Sequence, residues 1–215
     1  MRNAMRNFSP LDKFLCEAQY CLDTLSQRNI GTRKNPAIHA ENTELNPEQK
    51  RQSQGFMRVN HTGEICAQAL YRGQAFGTQN SHLKAHFNTA AMEELDHLNW
   101  CQERLNELDS HSSYLNPFWY IASFLIGISA ARLGDDLSLG FVEETEKQVI
   151  KHLSHHQQTL ASNDQKSRAI ITVMTEDEAR HADNAHHSGA KELPRALKFI
   201  MQLQSKVMTT TAYYL

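Results

Sequence analysis

Two copies of the pattern Glu-x-x-His are the part of this sequence best suited to chemistry. They read Glu94-Leu95-Asp96-His97 and Glu178-Ala179-Arg180-His181, and no other histidine of the chain follows a glutamate at this spacing. Residues three apart on an α-helix share one face, so the carboxylate and the imidazole of each copy can reach the same metal ion. Carboxylate and imidazole ligands suit iron or manganese. The pattern therefore predicts metal binding on two separate helices.

A further glutamate precedes each copy by about thirty residues: Glu64 before Glu94, and Glu146 before Glu178. A helix, a turn and a returning helix would place each of these glutamates beside its Glu-x-x-His. Two such hairpins packed together would direct four carboxylates and two imidazoles into one core, which is typical of ferritin-like four-helix bundles that bind two metal ions. The predicted metal ligands are Glu64, Glu94, His97, Glu146, Glu178 and His181.

The third of these predicted helices contains several glutamates, and its apolar periodicity distinguishes them. Glu146 shares a helix face with Val142 and Val149, whereas Glu144 has lysine and glutamine at the corresponding offsets. Glu143 is intermediate between the two. We therefore predict that Glu146 is the ligand, with Glu143 as the alternative.

Charged neighbours of the predicted ligands could orient them. A metal-bound histidine commonly donates its second ring N–H to an acceptor, and Asp177 and Asp96 are candidates for that role. Arg180 could neutralise Asp177, although an exposed ion pair between them is almost as well supported by the sequence. His61 lies one turn before Glu64, and we predict that it lies on the helix surface or behind a ligand.

Composition favours an all-α fold, since only 9 of the 215 residues are Gly and 5 are Pro. A formal net charge of −2 gives no indication of a nucleic-acid partner. We predict a ferritin-like four-helix bundle within residues 46–215 and an N-terminal helix and loop in residues 1–45, packed outside the bundle. The predicted helices cover about residues 9–27, 46–76, 81–108, 137–160, 166–192 and 195–215.

Residues 114–134 are the most apolar part of the chain. Their uncharged run, from Phe118 to Ala131, is shorter than the roughly 20 residues that a bilayer-spanning helix needs. Two interpretations follow: an ordinary buried helix, or a helix with one face in a membrane interface or along an apolar substrate entrance. The apolar side of residues 195–215 allows the same two interpretations.

At these residues the sequence resembles the demethoxyubiquinone hydroxylase family, and more closely its bacterial branch. The resemblance covers essentially the whole chain and rests on the two Glu-x-x-His copies, on Arg58-Val59-Asn60-His61-Thr62-Gly63-Glu64 and on Val207-Met208-Thr209-Thr210-Thr211-Ala212-Tyr213. It implies a ferritin-like di-iron monooxygenase of ubiquinone biosynthesis, which hydroxylates the ring of a polyprenylated demethoxyubiquinol with O₂. The implied ligands of the two iron ions are the six residues named above.

The third ligand-bearing helix departs from the family pattern. The family often has Glu-Glu followed by His-His-Tyr, whereas this chain has Glu143-Glu144-Thr145-Glu146 and then Lys151-His152-Leu153. Aligning His152 with the family histidine places Glu146 at the ligand position, in agreement with the periodicity. The family tyrosine is replaced by Leu153.

The resemblance also implies partners and a location. A polyprenylated quinol resides in the bilayer, so an enzyme without a spanning helix has to dock at the membrane surface to reach it. We expect a peripheral protein on the cytoplasmic side of a bacterial inner membrane, docked through residues 114–134 and 195–215. The electron donor could be the quinol, NADH or a reductase, and the protein could form a homo-oligomer or join a ubiquinone-biosynthesis complex.

Three other functions are compatible with a ferritin-like ligand set. The first is iron storage, which would require a hollow oligomeric shell on which residues 114–134 would fit poorly. The second is a di-iron quinol oxidase, since the ligands alone do not specify hydroxylation. The third is a rubrerythrin-like peroxide reductase, which the absence of C-x-x-C motifs disfavours.

Overall fold

The computed structural model describes residues 8–215, which form seven α-helices and one short 3-10 helix, with no strand among them. The all-α expectation is therefore confirmed, and Met1–Asn7 of the predicted N-terminal segment lie outside the described residues. The elements in chain order are α1 (Pro10–Leu25), the 3-10 helix (Pro36–His39), α2 (Pro47–Gly77), α3 (Ser81–Glu107), α4 (Asn116–Leu133), α5 (Asp135–Thr159), α6 (Gln165–His187) and α7 (Arg195–Tyr214).

Helices α2, α3, α5 and α6 form the four-helix bundle, in which α2 packs along α3 and α5 packs along α6. Side-chain caps mark the beginnings of α2, α3 and α6. The Asn46 side chain accepts hydrogen bonds from the backbone N–H groups of Glu48 and Gln49, while the Gln49 side chain accepts one from the Asn46 backbone. Pro47 occupies the first turn of α2, where its missing N–H costs nothing.

Two apolar clusters fill the bundle on either side of the predicted ligands. One is built around Met57, Trp100, Leu153 and Met174, and the other around Tyr71, Phe87, Ala91, Leu139 and Ala185. On every bundle helix the predicted ligands lie between a residue of the first cluster and a residue of the second. The ligands are therefore held in the middle of the bundle by apolar packing above and below them.

Helix α4 crosses α2 at very short range, because both helices carry a glycine at the crossing. A Cβ atom added at Gly73 would collide with the carbonyl oxygen of Phe124, and one added at Gly127 would collide with that of Leu70. Helix α4 is neither fully buried nor fully exposed. Trp119 on one face is 6% exposed and Phe118 beside it is 61% exposed.

Helices α1 and α7 lie outside the four-helix bundle: α1 contacts α2 and α4, while α7 contacts α2 and α5. Arg72 of α2 holds α1 in place, since its guanidinium lies 2.6 Å from a carboxylate oxygen of Glu17. The segment after α1 runs over α3 and α6, with the 3-10 helix contacting α6. Within the described residues, none of the helices is both long enough and apolar enough to span a bilayer.

Candidate metal centre

The structure brings all six predicted ligands together as two overlapping groups in the bundle core. The first group is Glu64, Glu94, His97 and Glu178, and the second is Glu94, Glu146, Glu178 and His181. Within each group the candidate ligand atoms lie within 4.8 Å of one another, and every member is buried. Glu94 and Glu178 belong to both groups. The site therefore has the form of two adjacent cation positions that share two carboxylates.

Glu143, the alternative ligand, lies outside both groups. Its carboxylate is 2.5 Å from the Lys147 ammonium and 3.2 Å from the His186 ring, at the edge of the bundle. Glu146 is buried, and its Oε1 accepts a hydrogen bond of 2.6 Å from the Tyr71 hydroxyl. The apolar periodicity of α5 therefore selected the glutamate that faces the core.

Both histidines present Nδ1 to the shared carboxylates. Nδ1 of His97 lies 3.0 Å from Glu94 Oε2 and 3.1 Å from Glu178 Oε1. Nδ1 of His181 lies 3.1 Å from Glu94 Oε1 and 3.3 Å from Glu178 Oε2. A cation bound among these oxygens would meet the Nδ1 lone pair of a neutral imidazole, which makes Nδ1 the candidate ligand atom of each ring.

The opposite ring nitrogens each meet an acidic residue of the facing helix. Nε2 of His97 on α3 lies 3.0 Å from Asp177 Oδ2 on α6, and Nε2 of His181 on α6 lies 2.7 Å from Glu93 Oε2 on α3. Such an acceptor fixes the tautomer and the orientation of a metal-binding imidazole. Sequence reasoning identified Asp177 and missed Glu93. A signal was present, because an acidic residue stands directly before the glutamate of both Glu-x-x-His copies.

Arg180 forms the expected ion pair with Asp177, with its Nη2 atom 2.8 Å from Asp177 Oδ1. Arg33, from the segment before the bundle, adds a second cation 2.6 Å from Oδ2. Partial burial opposes ionisation of Asp177, but hydrogen bonds from His97, Arg180 and Arg33 outweigh it and lower the pKa of this carboxyl group. Asp177 is therefore an anionic acceptor for the His97 ring.

Asp96 does not orient a ligand, so that expectation was wrong. Its Oδ1 accepts hydrogen bonds from the backbone N–H groups of Thr32 and Arg33, at 2.6 and 2.9 Å. The carboxylate points away from the metal centre and anchors the segment that precedes the bundle. Backbone partners of this kind leave no periodic signal in the sequence.

His61 is not on the helix surface, which corrects one of the two expectations for it. The side chain is 2% exposed, and its Nδ1 atom lies 3.4 Å from the Asn116 amide nitrogen of α4. Burial lowers the pKa of His61 to about 4, so the ring is neutral at pH 7. Helix α4 covers the face of α2 that the sequence pattern had suggested was open to solvent.

The charge of the cluster fits divalent cations. Oε2 of Glu146 is buried and has no hydrogen-bond partner in the part of the chain described, and such an atom is costly unless a cation meets it. Burial is the main cause that raises the pKa of Glu146, and the negative charges of Glu178 and Glu94 raise it further. Burial alone would disfavour a charged His181 ring, but hydrogen bonds with Glu178 and Glu94 raise its pKa to about 12. Without metal, protons therefore supply positive charge that two cations would otherwise provide.

Two cavities reach the centre from different sides. An apolar cavity of about 130 Å³ lies among α2, α4, α5 and α7 and extends to Glu64. A polar cavity of about 100 Å³ lies beside His181, with Glu93, His86 and Asn184 in its wall. One position of the centre therefore faces an apolar compartment and the other a polar one.

A helical bundle that buries four carboxylates and two imidazoles as two overlapping groups has the fold and the candidate ligand set of the ferritin-like dinuclear carboxylate proteins. A family model described as "Ubiquinone biosynthesis protein COQ7" matches residues 51–212, which include all six candidate ligands. The chain belongs to the COQ7 family.

Curated relatives support the same assignment over the full length. A protein of Coxiella burnetii (strain RSA 331 / Henzerling II), named "3-demethoxyubiquinol 3-hydroxylase", is 54% identical over 215 residues, which is 100% of both chains. A protein of the same name from Xanthomonas euvesicatoria pv. vesicatoria (strain 85-10) is 52% identical over 210 residues, covering 98% of this chain and 97% of the relative. The resemblance deduced from the motifs is thereby confirmed.

Proposed function

We propose that this protein is a 3-demethoxyubiquinol 3-hydroxylase of ubiquinone biosynthesis. In this reaction one oxygen atom of O₂ converts a ring C–H bond into C–OH, the other leaves as water, and a reductant supplies two electrons and two protons. The observation that carries the proposal is the apolar cavity that ends at Glu64, a member of the buried ligand set. The family and its relatives support this function over iron storage.

Two iron ions are the cofactor that we propose for the centre. Glu64 and His97 would hold one ion, Glu146 and His181 would hold the other, and Glu94 and Glu178 are available to both. When bound, a ferrous pair supplies the electrons that activate O₂ for attack on the ring. The apolar clusters above and below the ligands keep bulk water away from the place where this occurs.

The apolar cavity has the dimensions and the donors to hold an aromatic headgroup. Its volume of about 130 Å³ is close to that of an engineered cavity that binds benzene, roughly 150 Å³. Asn60 Nδ2 and Trp119 Nε1 belong to residues of its wall, are buried, and have no hydrogen-bond partner within the described residues. Both are N–H donors, and the oxygen substituents of a quinol ring are acceptors that would satisfy them.

His156 sets the orientation of the Asn60 amide. Its Nδ1 atom lies 2.8 Å from Asn60 Oδ1, and burial lowers the pKa of His156 to about 3, so the neutral ring can donate its Nδ1–H to that oxygen. The Asn60 Nδ2 donor is then left free for the ring of the substrate. Phe56 stacks on His156 with 4.3 Å between ring centroids and holds it in this position.

The prenyl tail would leave the cavity between α4 and α7, and we propose that these helices dock on the membrane. The cavity wall includes Ile126 of α4 and Met208 of α7, and the outer faces of the same helices expose Phe118, Ile121, Leu125, Phe199, Ile200 and Leu203. An exposed apolar patch of this kind marks a membrane or protein interaction site. The proposed location is the cytoplasmic side of a bacterial inner membrane, with peripheral attachment.

A vesicle-binding assay tests the docking proposal. The double variant Phe118→Glu/Leu203→Glu should lose most of its co-sedimentation with vesicles of bacterial phospholipid, because both charges would enter the lipid interface. Ile38→Glu is the matched control, since Ile38 is 64% exposed, compared with 61% for Phe118, and lies in the 3-10 helix that contacts α6. Unchanged sedimentation of the double variant would exclude this surface and would favour a second copy or a protein partner as its occupant.

The hydroxylase proposal is tested by measuring the iron content and the reaction product of the same preparation. The protein, purified with any bound lipid, is analysed for iron and then incubated in reduced form with a demethoxyubiquinol and ¹⁸O₂. We expect two irons per chain and ¹⁸O in the quinol ring. Two irons with O₂ consumption but an unlabelled ring would instead indicate a quinol oxidase.

A further inference from the structure

A short segment before the bundle closes one side of the metal centre. We call residues 29–33 the N-terminal strap; they follow α1 and lie across α3. The strap is attached at its first residue by a 3.4 Å hydrogen bond from the Asn99 side chain to the Asn29 carbonyl. At its end, Asp96 accepts from the backbone N–H groups of Thr32 and Arg33. Both attachments are to α3, the helix that carries His97.

Gly31 allows the strap to lie directly on α3. A Cβ atom at this position would come 2.9 Å from the Asp96 Cα atom and 3.2 Å from its backbone nitrogen. These are backbone atoms of a helix and cannot move aside cheaply. Any side chain at residue 31 therefore lifts the strap from the helix.

Arg33 connects the strap to His97 along two paths. Its Nη1 atom lies 2.6 Å from Asp177 Oδ2, the oxygen that also lies 3.0 Å from His97 Nε2. Its guanidinium carbon lies 4.9 Å from the centre of the Trp100 ring, which in turn lies 5.3 Å from the His97 ring. The strap thus covers the carboxylate and the indole that fix the His97 imidazole.

The strap does not extend to the His181 ring, whose acceptor Glu93 pairs with Arg180 at 3.4 Å. Glu93 has a side chain 39% exposed, compared with 12% for Asp177. The polar cavity of about 100 Å³ reaches Glu93 and His181 directly. Water can therefore approach this imidazole through the cavity.

We propose that the N-terminal strap makes the two metal positions unequal: it retains the ion held by His97, whereas the ion held by His181 exchanges through the polar cavity. Arg33 is a positioning residue in this scheme, since it acts on His97 through Asp177. An ion leaves only when its ligands move apart and water enters. The strap opposes movement of the His97 ring, and the cavity that reaches Glu64 on the same side is apolar, whereas the cavity beside His181 is polar. The inference rests on the proposed metal centre, but it does not depend on ring hydroxylation.

Stopped-flow metal release tests the proposal. The full-length protein is loaded anaerobically with two equivalents of Fe(II) and mixed with excess ferrozine, and the coloured complex is followed in time. We expect two phases of one iron each, differing in rate by at least tenfold. Outer partners of metal ligands typically change affinity by about 10–100-fold, so Arg33→Gln should accelerate the slow phase by that order and leave the fast phase unchanged.

Three further variants separate the strap from general loss of stability. Gly31→Ala removes no charge but should accelerate the slow phase, because it lifts the strap. Arg33→Lys keeps a cation for Asp177 and should restore part of the slow rate. Arg28→Gln removes an exposed arginine just before the strap and should change neither phase. Thermal unfolding of each variant establishes that it is folded, as expected for Arg33, whose side chain is 42% exposed.

Release of both irons in a single phase from the unmodified protein would overturn the proposal. So would a slow phase that Arg33→Gln and Gly31→Ala leave unchanged. The result is independent of the hydroxylase assay: biphasic release without ring labelling would contradict the proposed function alone, and ring labelling with uniform release would contradict only the role of the strap.

Discussion

The His97 side and the His181 side of the metal centre contain the same groups and differ in what surrounds them. On each side an imidazole faces the two shared carboxylates with Nδ1 and meets an acidic residue of the facing helix with Nε2. On the His97 side the acceptor is held by two arginines and covered by the N-terminal strap. On the His181 side the acceptor pairs with one of these arginines, Arg180, at the longer distance of 3.4 Å, and is partly exposed beside a polar cavity. Repetition of a motif therefore produces equivalent candidate ligands in unequal surroundings.

The largest effect is expected from a ligand that both sides share. Glu178→Ala should lower metal affinity by more than about a hundredfold, the upper end of the loss found for outer partners, because a carboxylate of both groups disappears. His97→Ala should affect one side only and leave one iron per chain. Metal analysis after dialysis measures both results, with circular dichroism to establish the fold.

Glu143→Ala is the matched control for the ligand variants, since Glu143 lies on α5 but outside both groups. It should retain two irons. Two irons retained in Glu178→Ala would refute the assignment of the centre.

Metal removal should make the two sides alike, because both imidazoles then carry protons. Hydrogen bonds to carboxylates outweigh burial and raise the pKa of His97, and they raise that of His181 to about 12 from 6.5. Above pH 6.5 the unfolded chain loses protons that the folded chain keeps, so stability falls as pH rises. From pH 6.5 to 8.5, His181 alone accounts for about 2 kcal/mol, or roughly 4–8 °C in melting temperature.

Calorimetry of the metal-free and metal-loaded proteins across this range measures the effect. The metal-loaded protein should lack the fall, since cations replace the protons. Burial also raises the pKa of Glu64 and Glu146, which act in the same direction from about pH 4.5 upward. A metal-free protein that becomes more stable toward pH 8.5 would contradict this description of the cluster.

Replacing each of the two acceptors by its amide compares how strongly the His97 side and the His181 side depend on that acceptor. Asp177→Asn should weaken metal binding about 10–100-fold, because it removes a largely buried anion from His97 and leaves Arg33 and Arg180 unbalanced. Glu93→Gln should cost less than about tenfold, because solvent can replace a partly exposed acceptor. Titration with Fe(II) under anaerobic conditions gives both affinities. Equal losses of Fe(II) affinity in the two variants would show that neither the burial of Asp177 nor its two arginine partners strengthen metal binding.

The smallest effect is expected from Tyr71→Phe, which removes the hydroxyl that donates to Glu146 Oε1. A hydrogen bond to a buried carboxylate is worth about 1–2 kcal/mol, so this loss should show in chemical denaturation. In metal release the fast phase should accelerate severalfold, because Glu146 belongs to the His181 group only. An effect confined to the slow phase would contradict the assignment of the fast phase to the ion held by Glu146 and His181.

The helices and the candidate ligands could be predicted because both depend on regular spacing. Capping residues such as Asn46, a three-residue offset between Glu and His, and an apolar stripe around Glu146 are all local properties of the chain. Because each of the four bundle helices carries at least one candidate ligand, the ligands also indicated which face of each helix lies in the core. The expected helix boundaries differ from the observed ones by a few residues, most at the end of α6, which stops at His187.

The surroundings of the centre could not be predicted, because they depend on contacts between distant and irregular parts of the chain. Thr32 and Arg33 meet Asp96 through backbone N–H groups that every residue type possesses. A position on the helix surface was one of the two expectations for His61, but α3, α4, α5 and α7 all contact α2, and His61 is buried. The difference between the two sides of the centre arises from these contacts.

Anomalous diffraction from crystals of the iron-loaded protein would locate each bound ion. We expect two iron peaks, one against His97 Nδ1 and one against His181 Nδ1, each in contact with Glu94 and Glu178. A brief soak in chelator should weaken the peak beside His181 first. A single peak would contradict a dinuclear centre. Two peaks that weaken at the same rate would contradict unequal exchange at the two positions.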